Sequence, residues 1–176
     1  MRLGVLALIA FLMAGCGGKE PEVEVSPAPA TIAVTSTAFA DQGEIPRRYT
    51  CDGEDVSPPV RFGSLPSGTA ELALLVDDPD APSGTFVHWV AWGIDPGTAA
   101  LGEGEAPPGA GTNGFGKQGY GGPCPPKGPA HRYMFTAYAL SARLDLRPGA
   151  SANDLKRAIS GLVLAQGRLV GRYARA

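Results

Sequence analysis

Histidine and cysteine are scarce: His88 and His131 are the only histidines in 176 residues, and cysteine occurs only at positions 16, 51 and 124. No pair of them has Cys-x-x-Cys or i, i+4 spacing, so a zinc site built from the histidines and nearby carboxylates would have suitable ligand types but none of the usual spacing. No metal or other cofactor is expected. Charge is sparse as well. Fifteen Lys and Arg against seventeen Asp and Glu leave a net charge of −2, without the basic footprint that nucleic-acid binding requires. The apolar stretch Leu3–Met13 is too short for the ~20 residues of a membrane-spanning helix. Glycine and proline are plentiful, at 25 and 17 residues. Both punctuate strands and break helices, so the composition predicts a loop-rich, mostly β protein.

The amino terminus reads as an address. Arg2, the apolar stretch Leu3–Met13 and the small pair Ala14-Gly15 before Cys16 have the layout of a signal peptide. "LMAGC" resembles a bacterial lipobox, which predicts acylation of Cys16 and attachment to the membrane of a bacterial cell envelope, at the periplasmic or outer surface; ordinary secretion with a stray Cys16 is the alternative. More than one acyl chain anchors stably. The expected organisation is a signal peptide over 1–15, a flexible acidic and Pro-containing tether over 16–30, and one domain over 31–176.

Hydrophobic periodicity supplies the body. "TIAVTSTAF" (31–39) predicts a first strand with Ile32 and Val34 on one face. "AELALLVDD" and "TFVHWVAWGI" are near-continuous apolar runs bounded by turn residues and predict central strands. Alternation puts Phe86, His88, Val90 and Trp92 on one face of the second. A Gly/Pro-rich segment from Gly97 to Gly128 exceeds an ordinary connection. Its overlapping G-x-G-x-x-G matches, at 109–114 and 114–119, neither follow a strand nor open a helix, and read as loop composition. "HRYMFTAYAL" (131–140) predicts a strand with His131, Tyr133 and Phe135 on one face. "SANDLKRAISGLVLAQG" predicts one helix, with a Ser151–Asp154 capping box, an apolar stripe through Leu155, Ala158, Ile159, Leu162 and Val163, and a stop at Gly167. "RLVGRYAR" predicts a last strand.

The chemistry gathers where these elements meet. "DDPDAPSGTFVHW" (77–89) joins two strands, which predicts that Asp78 or Asp80 reaches His88, fixes its tautomer and raises its pKa. His131 and Tyr133 emerge from the "GYGGPCPPKGPA" loop. If the strand mouths converge, imidazole, phenol, carboxylate and loop N–H groups would surround a phosphate or carboxylate head group in a cavity open to solvent. The structural alternative is a half-buried His satisfied by a local carboxylate.

"DPDAP" (78–82), "HW" (88–89), "GYGGPCPPKGPAHRY" (119–133) with the following "FTAYAL", and more loosely "YTCDGEDVSPPV" (49–60) resemble the phosphatidylethanolamine-binding proteins, among them the bacterial Raf-kinase-inhibitor-like members. The resemblance runs from about Phe39 to Tyr173 and implies a β-sandwich with one late helix and an anion pocket. Carried over by position, it implies that Asp78, Asp80 and Pro82 line the pocket and His88 bonds the anion. The backbone of Gly122 and Cys124 beside Pro125 would contribute, with His131 and Tyr133 closing the far wall. It also implies a cis Ala81–Pro82 bond. The animal members carry two adjacent histidines where this chain has Val87-His88. The implied ligand is a small anion or phospholipid head group; a protein partner is an open alternative.

Once Cys16 is acylated, Cys51 and Cys124 remain, and an even pair in an oxidising compartment suggests a disulfide. A free Cys124 would instead support a hydrolase, with His88 or His131 as base. Prolines and not a helix N-terminus flank Cys124, so nothing there lowers its pKa. The reading favoured is a binding or regulatory module.

Overall fold

The computed structural model describes residues 22–98 and 100–175. The signal peptide, Cys16 and the tether as far as Pro21 lie outside the described residues. The two apolar runs form β4 (Glu71–Asp78) and β5 (Phe86–Ile94), paired antiparallel. On the other side of β4 lies β8 (His131–Leu140), followed by β9 (Val163–Tyr173) and β1 (Ala30–Thr31); β7 (Gly109–Ala110) borders β5. These six strands make one sheet in the order β1-β9-β8-β4-β5-β7. A smaller sheet, ordered β2-β3-β6, contains β2 (Val34–Thr35), β3 (Val60–Phe62) and β6 (Ala100–Leu101). The mostly β sandwich expected from the sequence is present, with one α-helix among the described residues, α1 (Ala152–Ala158).

Alternation along β4 builds both sides of the large sheet. Leu72, Leu74 and Val76 enter the core between the sheets with Val60, Phe62, Trp89, Phe135 and Leu169. Ala73 and Leu75 point the other way, against Val90, Trp92, Tyr138, Leu155 of α1 and Ile159 just past its end. A sheet buried on both faces needs near-continuous apolar strands, and β4 and β8 have them.

Three expectations change. "TIAVTSTAF" is two short strands in different sheets: Ile32 N–H bonds Gln166 of β9, whereas the Ala33 carbonyl already accepts from Gly63 beside β3. The capping box is present, with the Ser151 hydroxyl accepting from Asp154 N–H and the Asp154 carboxylate accepting from Ser151 N–H. The helix, however, stops after Ala158. Gly161 adopts φ +77°, a left-handed conformation that ends the helical path, and Val163 begins a strand that follows β8 along its length. The helical stripe at Leu162 and Val163 yields to that pairing, and Gly167 lies inside β9. Finally, no cis peptide bond occurs among the described residues, so Ala81–Pro82 is trans.

Candidate functional site

Because β4 is antiparallel to both neighbours, its last residue meets the first residues of β5 and β8. Asp78 pairs with Phe86, and Asp77 with Met134. Asp78, His88, His131 and Tyr133 therefore collect at one end of the large sheet, from stretches about fifty residues apart in sequence.

His88 occupies a β-bulge. Val76 opposes Trp89 and Asp77 opposes Val87, so His88 is an extra residue with no partner on β4. The bulge interrupts the period of two. The expected shared face of Phe86, His88, Val90 and Trp92 is thus corrected: Val90 and Trp92 face α1, while the His88 ring meets Tyr133, 5.1 Å between centroids, on the inter-sheet side.

Each polar group has a specific partner. Asp78, only 3% exposed, accepts from His131 Nδ1 at 2.7 Å through Oδ2 and from Asp80 N–H at 2.8 Å through Oδ1. Asp80 turns outward, where its carboxylate takes the backbone N–H, Nε and Nη2 of Arg132. Those bonds hold the Asp80 carboxyl well below the usual range, at about 2. His88 Nδ1 donates to the Gly121 carbonyl at 2.7 Å. The expectation that Asp78 or Asp80 orients His88 is therefore replaced: a loop carbonyl does it. The direction of the His88 pKa is corrected too. Burial, at 2% exposure, pushes it below the usual imidazole value, against the Gly121 carbonyl and the Asp78 charge. His88 is neutral at pH 7, with its proton on Nδ1 and a lone pair on Nε2.

Two buried groups lack a hydrogen-bond partner among the described residues, Tyr133 Oη and Trp89 Nε1. Burial, with Asp78 next, drives the Tyr133 pKa far up, so its hydroxyl remains a donor. Phe115, 44% exposed, lays its ring against Phe86 and His88 at 4.8 and 5.7 Å between centroids. The same ring covers Gly121, where a Cβ would lie 2.6 Å from Phe115 Cδ2, so a larger residue there would push the ring aside. Phe115 thus covers the His88 side of the place where the solvent-open pocket was expected.

The other expected residues divide. Pro125 is buried beside the site, and Pro82 is exposed on the turn. The Gly122 N–H is not on offer, since the Asp55 carboxylate accepts from it at 2.7 Å. Cys124 is bonded to Cys51, which fastens the 49–53 turn to the 121–125 loop and leaves the hydrolase alternative without its nucleophile. Among the described residues no group of three or more His, Cys, Asp or Glu is placed to hold a metal ion. Sequence reasoning missed Gly121, Asp55, Arg132 and Phe115. Asp55 had no visible signal, because its role depends on a left-handed backbone, φ +57°. Phe115, an isolated aromatic in a glycine-rich loop, was the one legible hint.

The model of the family described as phosphatidylethanolamine-binding protein matches residues 35–174. A UPF0098 protein of Pyrococcus horikoshii is 42% identical, over 97% of this chain and 87% of its own. A Mycobacterium tuberculosis protein described as a candidate lipoprotein, LppC, is 42% identical over 96% of this chain and 92% of its own. The crystal structure of CT736 from Chlamydia trachomatis, described as a homologue of phosphatidylethanolamine-binding protein, superposes with a TM-score of 0.79 at 36% identity, covering 83% of this chain and 99% of that one. With the match spanning both sheets, the helix and the Asp78–His88–His131 end of the strands, this chain belongs to the phosphatidylethanolamine-binding protein family.

Proposed function

We propose that this chain is a lipid-anchored envelope binding protein, acylated at Cys16, that holds a small anion of the phosphate-ester type at the His88 end of the sandwich. One observation carries the anion reading: the Tyr133 hydroxyl is fully buried and unpartnered beside a neutral imidazole. Leaving a buried hydroxyl unpaired costs about 1–3 kcal/mol, so a donor kept in that state is available to a ligand.

The tautomer limits the chemistry. His88 Nε2 is an acceptor while Nδ1–H is held by Gly121, and an anion can use Nε2 only if a proton comes with it, on the ring or on the ligand. Asp78 supplies negative charge nearby and favours such protonation. A monoprotonated phosphate ester suits both groups: its P–OH donates to Nε2 and its P–O⁻ accepts from Tyr133. The Asp78–His131 pair shapes the far wall and Pro125 stiffens the loop. The lipobox-like "LMAGC" and the lipoprotein description of the LppC relative support the anchor.

The test is titration calorimetry with ethyl phosphate at pH 6. Tyr133→Phe should weaken binding about three- to tenfold, the worth of one hydrogen bond, and leave stability unchanged or raised, since an unpaired hydroxyl is removed. Equal affinity in both proteins would sink the assignment.

A further inference from the structure

Under α1, a cavity of about 580 Å³ opens beside the ends of β4 and β5, with Glu22, Leu75, Asp77, Phe86, Asn153 and Lys156 in its walls. Its most informative residue is Lys156. The lysine side chain is 11% exposed, and lysine is almost never buried without a partner. Its partner is Glu22, 134 positions earlier in the chain: Lys156 Nζ donates to Glu22 Oε1 at 2.9 Å, while Glu22 Oε2 accepts from the Thr85 hydroxyl at 3.3 Å. Val23 N–H donates to Asn153 Oδ1 at 3.1 Å. Val23 and Val25 are half-buried while Glu22 and Glu24 are exposed, and Val25 packs on the Leu155–Ile159–Tyr138 cluster. This is an extended peptide seated by one carboxylate, one backbone N–H and an aliphatic face.

We infer that this cleft is a second binding site, selective for an extended acidic peptide of the pattern Glu-Val-x-Val, whose resident ligand is the chain's own segment 22–25. Lys156 selects the carboxylate, because its buried ammonium donates to Glu22 and makes no hydrogen bond with the nearby Asp77. Asn153 selects main chain, and the apolar surface around Leu155 selects valine. The cleft shares Phe86 with the His88 end, but none of the bonds that seat segment 22–25 involves His88 or Tyr133, so failure of the anion reading leaves it standing.

A consequence follows if Cys16 is the anchor. With the segment docked, six residue steps separate Cys16 from Glu22, a reach of about 20 Å; released as far as Ala30, the reach is about 50 Å. Occupancy of the cleft then sets how far the body stands from the bilayer.

The experiment uses the full chain. A fluorescent peptide, Lys-Glu-Pro-Glu-Val-Glu-Val-Ser, is titrated by anisotropy against wild type, Glu22→Gln, and Glu22→Gln with Lys156→Gln. The internal segment competes at high effective concentration, so the peptide should bind the single variant at least fivefold more tightly than wild type and bind the double variant no better than wild type. In parallel, hydrogen exchange of the Val23 amide should quicken at least tenfold in Glu22→Gln, whose substitution at an exposed position leaves the fold alone. Equal peptide affinity in all three proteins, or unchanged exchange at Val23, would overturn the inference.

Discussion

Asp77 and Asp78 are consecutive in β4 and serve opposite faces of one sheet. Asp78 bonds His131 between the sheets, and Asp77 lines the cavity under α1 near Lys156. The pleat alone produces this division, since successive side chains of a strand leave on opposite sides. One carboxylate has good hydrogen bonds and the other is chiefly desolvated, and their expected behaviour diverges.

Burial pushes the Asp77 carboxyl up to about 6, with Lys156 and Arg168 opposing. The raised folded-state value means that this group's contribution to stability is complete below its unfolded pKa of 3.8 and is lost as pH rises through about 6. Above that, the charged group costs up to about 3 kcal/mol. Asp77→Asn should therefore be more stable than wild type by about 1–3 kcal/mol at pH 7.5 and nearly equal at pH 4, measured by urea denaturation. The same difference at both pH values would contradict the cause given.

His88 carries the converse pH signature in binding. Its free value lies below the usual imidazole range, and a bound anion raises it, so binding takes up a proton between the two values. Sulfate, which does not titrate in this range, should bind more tightly as pH falls from 7 to 5, by up to about tenfold per pH unit. His88→Gln should flatten the profile; a flat profile in wild type would remove His88 from the role proposed above.

Phe115 is expected to control access to His88. In Phe115→Ala, carbethoxylation of His88 by diethyl pyrocarbonate, followed by peptide mapping, should run at least fivefold faster, with His131 as the internal reference. No change at His88 would mean that other groups cover the ring.

The Cys51–Cys124 bond closes a 73-residue separation, for which chain entropy gives about 4 kcal/mol. Replacing both cysteines by serine should lower stability by roughly that amount in guanidinium denaturation. It should also loosen the 121–125 loop and so the carbonyl that holds His88. A loss under about 1 kcal/mol would argue that the two loops hold together without the bond.

Much of this was legible from residue order. The apolar runs of β4 and β5, the alternation of β8 and the Ser151–Asp154 capping box are local patterns, and local energetics alone produce them. The motifs around Asp78, His88 and His131 pointed to one end of β4, β5 and β8, where the structure gathers these residues. What stayed hidden was relational. Which side His88 faces depends on one extra residue relative to β4, a register choice made against a separate strand. Whether Leu162 and Val163 continue a helix or start β9 depends on β8 being there to pair with. Arg132 claims Asp80, Asp55 claims Gly122, and Glu22 claims Lys156 only because folding brings them within reach. By itself the sequence determined the class and the inventory of chemical groups, because those follow from composition and short-range period. The tertiary structure alone decided which groups face one another, because a hydrogen bond or ion pair is set by distance in space, and distance along the chain does not encode it.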